Sequence, residues 1–525
     1  MLAAAFGNWV RQLPERGFDE SFISLLRAHG FYDIHFRHGQ FEFGKDFVGK
    51  RDEDGHKVQY GFQSKAGDIN GSDWDAIYSQ LEELTSGQNV PVGFDKTLAR
   101  CSVLVTTGRL KGKASLSAKT FETRVKDRGD GRFEVWEQDT LMEIVEGSGR
   151  FPVAPSPTLT TLLAHIEGPD CGERSLESQL AVLVDAAKAS TSSLHRALVD
   201  NAICAATLAE KGRGIQQLAV ALNGVRIAAT LAHSDAGEAK PLLRMAFDSY
   251  VAQGERCYKA LLTAPGDEKH WLKSLPSSTG QMVIYPVHCL KVLEFSGLAA
   301  LWSAEQGNEA EGQRWADVCG QVVDGQRGAF HPVSDRYGAS LAPPVLALHR
   351  FGRAGQAERL LREITKWVCD RYEGDEPGLA GPYSTPTEET RTLLGGAFEA
   401  IPLVHRRESL LAVALADLAY CLASGLYPDI VNDMKAVGIV PTAIHALDRA
   451  DAYIVAKHGA TRALVNIAYP DAVGATLLRH HQLQEGARSP ETIGGGVVML
   501  ALACVARDRL FSDCYARAAS GLKTS

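Results

Sequence analysis

The stretch FEFGKDFVGKRDEDGHKVQYGFQSKAGDI, residues 41–69, decides the fold of the first part of this chain. Residues 41–48 and 58–65 each alternate between large apolar side chains and small or polar ones, which is typical of β-strands. Between them, Asp-Glu-Asp-Gly at residues 52–55 supplies turn-forming side chains and a glycine that tolerates positive φ. The stretch therefore predicts a β-hairpin.

The alternation assigns polar side chains to the faces of this hairpin. Gln63 and Lys65 lie two residues apart, so they share one face of the second strand. In the first strand, Lys45 falls on the face of the phenylalanines and Asp46 on the opposite face. If the strands pair, Asp46 lies beside Gln63 and Lys65. An acid, an amide oxygen and an ammonium then converge where a divalent metal, a water and a phosphate could be held.

These residues also carry a family resemblance. Gly44-Lys45-Asp46, followed after a gap by Gln63-Ser64-Lys65-Ala66-Gly67, resembles the motif of the PD-(D/E)xK nuclease superfamily. More narrowly it resembles the Mrr-like branch of restriction endonucleases, in which Gln replaces the second acid. The resemblance covers roughly the first 150 residues. It implies a restriction-endonuclease-like α/β domain, a mixed sheet flanked by helices, that cleaves DNA with Mg²⁺ or Mn²⁺.

The resemblance also implies roles for individual residues. Asp46 and the side-chain oxygen of Gln63 would hold Mg²⁺, a hard cation that prefers oxygen ligands, and the backbone carbonyl of Ser64 would be a third ligand. The metal lowers the pKa of a bound water and neutralises charge on the scissile phosphate. Lys65 would orient or deprotonate that water and screen the developing negative charge.

Two further acids are candidate helpers. Glu20 opens a predicted helix at residues 18–29 and matches a family position near the metal; an ordinary first-turn acid, favoured by the helix dipole, is the alternative. Glu42 falls on the same strand face as Asp46, where it is either a helper of the metal or a solvent-facing strand acid.

The flanking sequence predicts the rest of an α/β domain. Helices are expected at residues 18–29, 73–84, 114–126 and 140–146, and strands at residues 34–37, 101–107 and 133–136. This order suits a mixed sheet flanked by helices.

A basic stretch follows the hairpin. Residues 96–132 hold ten Lys and Arg against three acids, although residues 1–150 as a whole carry 20 basic and 23 acidic residues. A basic segment on a domain that is otherwise not basic is expected where a phosphate backbone binds. Arg109, Lys111, Lys113 and Lys119 are the candidate nucleic-acid contacts. The alternative is a solvated helix face.

The pattern changes after residue 149. Residues 150–158 are rich in Gly, Pro and Ser and predict a linker between a domain at residues 1–149 and a helical region at residues 159–525. That region is expected to be all-α and solenoid-like, with two subdomains divided near residues 373–390. Turns near Gly307 and Gly352 separate paired helices, and residues 264–280 predict a long loop or a joint between subdomains. Such a region suits sensing or assembly.

Composition places the chain among soluble proteins. The 525 residues carry a net charge of −8, and ten cysteines occur without a C-x-x-C pair, which favours a reducing cytoplasm. The first residues show no signal-peptide pattern. The apolar run at residues 493–506 is too short to span a membrane and predicts a buried helix.

Three functions are consistent with the sequence. The leading hypothesis is a Mg²⁺-dependent DNA endonuclease in restriction or anti-phage defence, with RNA not excluded as substrate. The alternatives are a non-catalytic nucleic-acid-binding module and a helical interaction scaffold that works with a partner protein. Because the chain holds one such motif and a double-strand break needs two, a homo-oligomer is expected; a defence-system partner is a further expectation.

Overall fold

The structure, a computed structural model, describes residues 2–11, 13, 15–36, 45–86, 94–95, 97–148, 156–168, 173–231, 236–275, 281–374, 376, 378–381, 384, 386–394, 407–422, 425–444, 464–466 and 491–505. The first half of the leading predicted strand, residues 41–44, lies outside these ranges, as does most of the predicted linker, residues 150–155. The chain divides into two compact units, residues 1–164 with 189–203, and residues 165–188 with 204–525.

The first unit contains a five-stranded mixed sheet with helices on both faces. Its strands are β1 (Tyr32–Phe36), β2 (Phe47–Glu53), β3 (His56–Lys65), β4 (Ala99–Thr106) and β5 (Arg132–Trp136). Its helices include α1 (Leu2–Arg11), α2 (Asp19–Ala28), α3 (Gly71–Thr85), α4 (Lys113–Arg128), α5 (Gln138–Ser148) and α6 (Pro157–Glu167). The three further strands, the four predicted helices and the second hairpin strand are confirmed. A hairpin is present, but among the described residues its first strand overlaps the predicted residues 41–48 only at Phe47 and Val48 and continues to Glu53, so its predicted bounds were wrong. Helix α1 was not predicted.

The strands lie in the order β1-β2-β3-β4-β5. β1, β2 and β3 pair antiparallel, whereas β3 with β4 and β4 with β5 pair parallel. The hairpin turns at Asp54 and Gly55, both of which have positive φ. The carboxyl ends of β3 and β4 therefore lie together at one edge of the sheet, beside the start of β2.

The two faces of the sheet are buried by different helices. On one face, Phe22 of α2 packs edge-to-face on Phe47 and Phe62, at centroid distances of 5.1 and 5.3 Å, and Trp136 packs on Phe62. On the other face, α3 and α4 form a core with β4 and β5 whose members are Trp74, Ile77, Leu81, Leu84, Leu104, Ala118, Phe121, Val125 and Phe133. Gln63 pairs with Leu104 across the strands, so Gln63 belongs to the α3–α4 face.

Two loops cross closely where β3 and β4 end. A Cβ atom on Gly108 would lie 2.3 Å from the backbone carbon of Gly67 and 2.4 Å from the nitrogen of Asp68. Gly67 itself has a φ of +71°, which favours glycine. The Gly67 N–H donates to the Thr107 hydroxyl, and the Thr106 hydroxyl donates to the Gly67 carbonyl. Glycine at residue 108 therefore fixes the position of the chain immediately after Lys65.

The second unit is mainly helical. Its helices are α7 (Glu173–Ala187), α9 (Gly214–Thr230), α10 (Ala236–Cys257), α11 (Lys259–Leu262), α12 (Glu268–Ser274), α13 (Gln281–Glu305), α14 (Glu309–Gly325), α15 (Gly338–Arg350), α16 (Ala354–Tyr372), α17 (Pro386–Leu393), α18 (Leu410–Cys421), α19 (Leu426–Ala436) and α20 (Glu491–Val505), while α8 (Thr191–Glu210) contributes residues to both units. Neighbouring helices pack in pairs, among them α13 with α14, α15 with α16, and α18 with α19. The turns at Gly307 and Gly352 are confirmed, and both glycines have positive φ.

Two expectations about this region were wrong. It is not all-α, because β6 (Glu408–Ser409), β7 (Val440–Ile444) and β8 (Leu464–Asn466) form a small sheet. Runs of two to five residues are too short to show alternation within a helical background. The loop expected at residues 264–280 contains helix α12, in which Asp267 caps the N-terminus through the N–H of His270 and Trp271 is fully buried.

Helix α13 is the central helix of the second unit. It packs against α14, α15 and α20, and Gly297 lets it approach the backbone of α15 at Pro343. The stretch Val283–Glu305 is long and apolar enough to span a membrane, but 78% of its most apolar window is buried inside the protein. This burial is typical of a core helix in a soluble protein. The predicted buried helix near residues 493–506 is confirmed as α20.

Candidate active site at the ends of strands β2 and β3

Asp46 is joined to the end of β3 by three hydrogen bonds. Its backbone N–H donates to the Phe62 carbonyl at 2.8 Å. Its carboxylate oxygen Oδ2 accepts from the backbone N–H of Ser64 at 2.7 Å and from the side-chain Nε2 of Gln63 at 2.8 Å. Asp46 precedes the first residue of β2, so its carboxylate satisfies an N–H that a strand carbonyl would otherwise satisfy. The predicted convergence of Asp46 and Gln63 is present in the structure.

The backbone carbonyl of Ser64 points to the same side. Residues along a strand direct their N–H and C=O alternately to the two neighbouring strands. Lys65 directs its carbonyl toward β4, where it accepts from the N–H of Thr107 at 3.2 Å. The N–H and C=O of Ser64 therefore both face Asp46. A carboxylate, an amide and a backbone carbonyl thus lie around one position, and their oxygens are the donors that Mg²⁺ prefers.

The orientation of the Gln63 amide differs from the predicted metal-bound one. An ionised carboxylate only accepts hydrogen bonds, so the amide nitrogen of Gln63, not its oxygen, faces Asp46. A cation shared by Asp46 and Gln63 would need the amide oxygen instead, so this side chain would have to turn over. Gln63 is 4% exposed, and such a turn therefore takes place inside a packed environment.

Lys65 follows this group along β3. It lies two residues after Gln63 on the same face of β3, paired with Thr106, and it is half-buried. Within the described parts of the chain, no cluster of three or more His, Cys, Asp or Glu side chains could hold a metal. Among the described residues, a metal at this site would therefore depend on one carboxylate together with amide and backbone oxygens.

The structure describes only one of the two candidate helper acids. Glu42 lies outside the described residues. Glu20 is an exposed residue in the first turn of α2. That helix packs through Phe22 on the sheet face opposite Gln63. The structure therefore brings together Asp46 and Gln63, places Lys65 on the same strand face as Gln63, and leaves Glu20 on the helix that covers the other face.

The candidate nucleic-acid contacts are largely matched with carboxylates. Lys111 lies 2.5 Å from Asp68, Arg109 lies 2.8 Å from Asp139, and Lys113 lies 3.2 Å from Asp75. The fourth, Lys119, is exposed on α4, with no ion pair among the described residues. Exposed ion pairs contribute ~0–1 kcal/mol each, so a phosphate can replace the carboxylate at small cost. At Arg109, Lys111 and Lys113, the excess of basic residues in this stretch of sequence is therefore offset by carboxylates from elsewhere in the chain.

Sequence reasoning missed Asp68, which joins the two loops at this edge. Its carboxylate accepts from the backbone N–H of Arg109 at 2.9 Å as well as pairing with Lys111. The hydrogen bond from Lys111 is the main reason that the pKa of Asp68 is lowered. The available signal was its position, three residues after Lys65, but its partners lie more than forty residues away in the chain.

The ion pairs allow the DNA-binding prediction to be made specific. Replacing Asp75 with Asn removes the carboxylate beside Lys113 and is expected to tighten DNA binding up to about fivefold at low salt. Lys113→Glu is expected to weaken binding and to reduce the salt slope by about one. Fluorescence anisotropy of a labelled duplex, in EDTA and over a salt series, measures both. Asp130→Asn, which removes a carboxylate 2.9 Å from Arg128, is the control. Unchanged affinity in the two Lys113-related variants would identify a solvated face.

Lys45 is not where alternation placed it. Instead of joining the phenylalanines, its aliphatic chain lies over Gly61 on the opposite face, where a Cβ atom of residue 61 would be 3.5 Å away. Regular pairing begins only at Phe47, so the alternation does not extend back to Lys45. The Lys45 ammonium donates to the Glu83 carbonyl at 3.0 Å, in the last turn of α3. A cation there is favoured by the helix dipole.

Burial, and secondarily the charge of Arg100, lowers the pKa of Lys45 from 10.5 to about 8. The folded protein then holds fewer protons than the unfolded chain between pH 8 and 10.5, so the contribution of Lys45 to stability rises with pH across this window. Below pH 8 the cost of burying the charge is fully present.

Lys45→Met is therefore expected to stabilise the hairpin by ~1–2 kcal/mol at pH 7, after loss of the hydrogen bond to Glu83, and not at pH 10.5. Hydrogen exchange of β2 and β3 peptides, compared between variant and wild type at each pH, measures this. A pH-independent difference would contradict it.

Comparison of the chain with protein-family models, with curated proteins and with solved structures finds no significant match to any of them. The function of the site is therefore argued from its own geometry.

Proposed function

We propose that the first unit is a PD-(D/E)xK-like, Mg²⁺-dependent endonuclease that hydrolyses DNA phosphodiester bonds. The observation that carries the proposal is the hydrogen-bonded group of Asp46, Gln63 and the Ser64 backbone, with Lys65 following on the same strand face. Asp46 thus meets Gln63 and Ser64, seventeen and eighteen positions later in the chain, where two parallel strands end. In open α/β sheets, ligands bind at such carboxyl ends.

The donor set fits a hard divalent cation, and each residue has a stated task. Asp46, the Gln63 amide oxygen after it turns, and the Ser64 carbonyl would hold Mg²⁺ or Mn²⁺, which when bound activates a water and offsets phosphate charge. Lys65 positions the attacking water and stabilises negative charge on the phosphate. Gly108 and Gly67 hold the end of β3 so that Lys65 keeps its position. Arg109, Lys111 and Lys113, which follow β4, bind the DNA phosphate backbone. To do so, the phosphates displace the paired carboxylates of Asp139, Asp68 and Asp75.

We assign the helical unit a supporting role. Helix pairs that stack side by side, such as α13–α14 and α15–α16, suit a solenoid-like region for sensing or assembly. A nuclease unit joined to such a helical region suits an effector of cytoplasmic restriction or anti-phage defence. That effector acts as a homo-oligomer or with a partner protein. The ion-paired cations favour one alternative, a helical interaction scaffold that works with a partner protein.

A nuclease assay tests the proposal directly. The full chain is incubated with supercoiled plasmid and, in parallel, with a structured RNA, in Mg²⁺, in Mn²⁺ and in EDTA. Nicking or linearisation of the plasmid that requires metal, and that is lost with Lys65→Met, supports the proposal. Cleavage of RNA alone would change the substrate. Binding without cleavage would identify a binding module, and neither activity would favour the scaffold.

The single site in each chain predicts an assembly. One such site cuts one strand, so two chains must present their sites to opposite strands for a double-strand break, and two-fold pairing is the commonest way for soluble chains to associate. Light scattering is expected to give at least twice the chain mass of 56.7 kDa, with the contacts built mainly by residues after Pro157. A monomer that makes clean double-strand breaks would contradict the assembly and leave the catalytic proposal intact.

A further inference from the structure

Helix α3 carries a buried amide oxygen that the proposed mechanism does not use. The Oε1 atom of Gln80 is shielded from solvent and accepts no hydrogen bond from any residue that the structure describes. Most buried polar atoms in folded proteins have a hydrogen-bond partner, and a buried atom without one is unfavourable. Packing alone therefore does not account for a glutamine at this position.

The level of α3 relative to the sheet is fixed one turn after Gln80. A Cβ atom on Gly61 of β3 would lie 3.4 Å from the side chain of Leu84. The carbonyl of Leu84 accepts from the hydroxyl of Ser102 at 3.4 Å, and Ser102 is the residue that pairs with Gly61 across the strands. Leu84 is therefore level with Gly61.

Helix α3 runs antiparallel to β3. Its first residue lies against the side chain of Lys113, which follows the end of β4, so the helix begins at the carboxyl edge of the sheet and runs back along the strands. Four helical residues advance about 6 Å, and two strand residues advance about 6.6 Å. Gln80, four residues before Leu84, is therefore level with Gln63, two residues after Gly61.

The side of α3 that carries Gln80 faces the start of β2. The carbonyl of Glu83 accepts from the ammonium of Lys45 at 3.0 Å, and the stem of Lys45 lies over Gly61. Residues three and four apart are neighbours on a helix surface, so Gln80 shares its face with Glu83 and Leu84. Gln80 is thus on the side of α3 that is turned to the candidate active site.

Gln63 needs a new hydrogen-bond partner if it binds a cation. Its amide nitrogen now donates to Asp46, whereas a cation shared with Asp46 requires the amide oxygen at that place. Turning the amide over carries both N–H groups to the opposite side of a residue that is 4% exposed. A buried donor without an acceptor is costly. The oxygen of Gln80 is an acceptor at the same level, and the structure leaves it without a donor.

We propose that the side-chain oxygen of Gln80 accepts from the Gln63 amide when Gln63 turns its own oxygen to the cation. Gln80 is then a positioning residue of the metal site, and this inference rests on the proposed function because it concerns the metal-bound form of that site. The hydrogen bond from Gln63 to Asp46 is exchanged for one from Gln63 to Gln80. Turning the amide therefore leaves no buried donor unpaired.

Binding of Mn²⁺ to the full chain, without nucleic acid, tests the proposal. Electron paramagnetic resonance of the free ion gives the affinity, and the binding that is lost in Asp46→Asn defines the site. Gln80→Met keeps the length of the side chain, removes the acceptor and is expected to weaken that binding about tenfold. Gln313 is exposed on α14 and bonded to Asp317, and Gln313→Met, the same chemical change, should bind Mn²⁺ as the wild type does.

Gln63→Glu separates this role from a purely structural one. A carboxylate has no N–H and needs no acceptor on α3, so adding Gln80→Met to Gln63→Glu should change the Mn²⁺ affinity by less than about twofold. In EDTA, hydrogen exchange of α3 peptides should be as slow in Gln80→Met as in the wild type, or slower, because an unpaired buried oxygen is removed. A residue that only supported the fold would lower both protection and affinity in either background.

Three results would overturn the inference: equal Mn²⁺ affinity of Gln80→Met and the wild type, the same loss of affinity in the Gln63→Glu background, or no Asp46-dependent binding in the wild type. Failure of the nuclease gives a different pattern. Mn²⁺ binding that responds to Gln80 as expected, without plasmid cleavage, would refute the nuclease and support the inference. Metal-dependent cleavage with unchanged Mn²⁺ affinity in Gln80→Met would do the reverse.

Discussion

Replacing Lys65 with Met is expected to lower the rate of DNA cleavage by about 10²–10⁴-fold while leaving the fold intact. Met keeps the length and the apolar stem of the side chain and removes only the ammonium, which the proposal places beside the attacked phosphate. Lys65 is half-buried at the end of β3, so its charge is not enclosed in the core. The rate is measured on a supercoiled plasmid under single-turnover conditions in Mg²⁺.

The same strand provides a matched control. Lys57 is exposed near the opposite end of β3, opposite Asp52 across the hairpin. Lys57→Met makes the same chemical change far from the site and should cleave at the wild-type rate. Equal activity of the Lys65 and Lys57 variants would remove Lys65 from the mechanism.

Asp46→Asn extends this test to the proposed metal ligand. The amide oxygen of Asn can still accept one of the two hydrogen bonds from Ser64 and Gln63, so the hairpin should remain folded. The loss of the carboxylate should reduce cleavage by a similar factor and raise the Mg²⁺ concentration required. Asp52→Asn, which changes an exposed acid bonded to Tyr32 at 2.8 Å, is the control.

The largest expected effect on stability comes from Gly108→Ala. The added methyl group would lie 2.3–2.5 Å from three backbone atoms of Gly67 and Asp68, and a backbone cannot move aside as a flexible side chain can. A cost of about 3 kcal/mol is expected, at the upper end of what overpacking causes. Because the displaced loop follows Lys65 directly, cleavage should fall as well. Hydrogen exchange of β3 and β4 peptides in the full chain measures the loss of local stability.

Gly147 provides the contrast. It lies near the end of α5, and a Cβ atom built there meets nothing within 4 Å. Ala is favoured over Gly in helices by up to about 1 kcal/mol, so Gly147→Ala should be neutral or slightly stabilising. If both variants behave alike, the close crossing at Gly108 is not what holds the end of β3.

The hairpin was predictable because its signal is local. Alternation of period two and a turn containing Gly55 specify two strands, and pairing then brings Asp46 beside Gln63. The prediction failed at Lys45, where regular pairing has not yet begun and the space over Gly61 decides the direction of the side chain. Sequence alternation carries no information about that space.

Features that depend on distant partners could not be predicted. The carboxylates that pair with Arg109, Lys111 and Lys113 come from other loops and helices, so a charge count over one stretch overstated the free positive charge. In the helical unit, the guanidinium of Arg336 lies 3.5 Å from the carboxylate of Glu177, which is more than 150 residues earlier in the chain.

The hydrogen bond between Gln63 and Asp46 gives the site a self-sufficient resting state. The amide nitrogen of Gln63 and the N–H of Ser64 both donate to one oxygen of Asp46, and an arriving cation must first displace the contact from Gln63. Such a site would bind little metal when the cation concentration is low. It would bind the cation once a bound phosphate contributes further oxygen ligands. Metal and nucleic acid would then load together, each raising the affinity for the other, as reciprocal linkage requires. A nuclease with such a site would stay inactive until its substrate is bound.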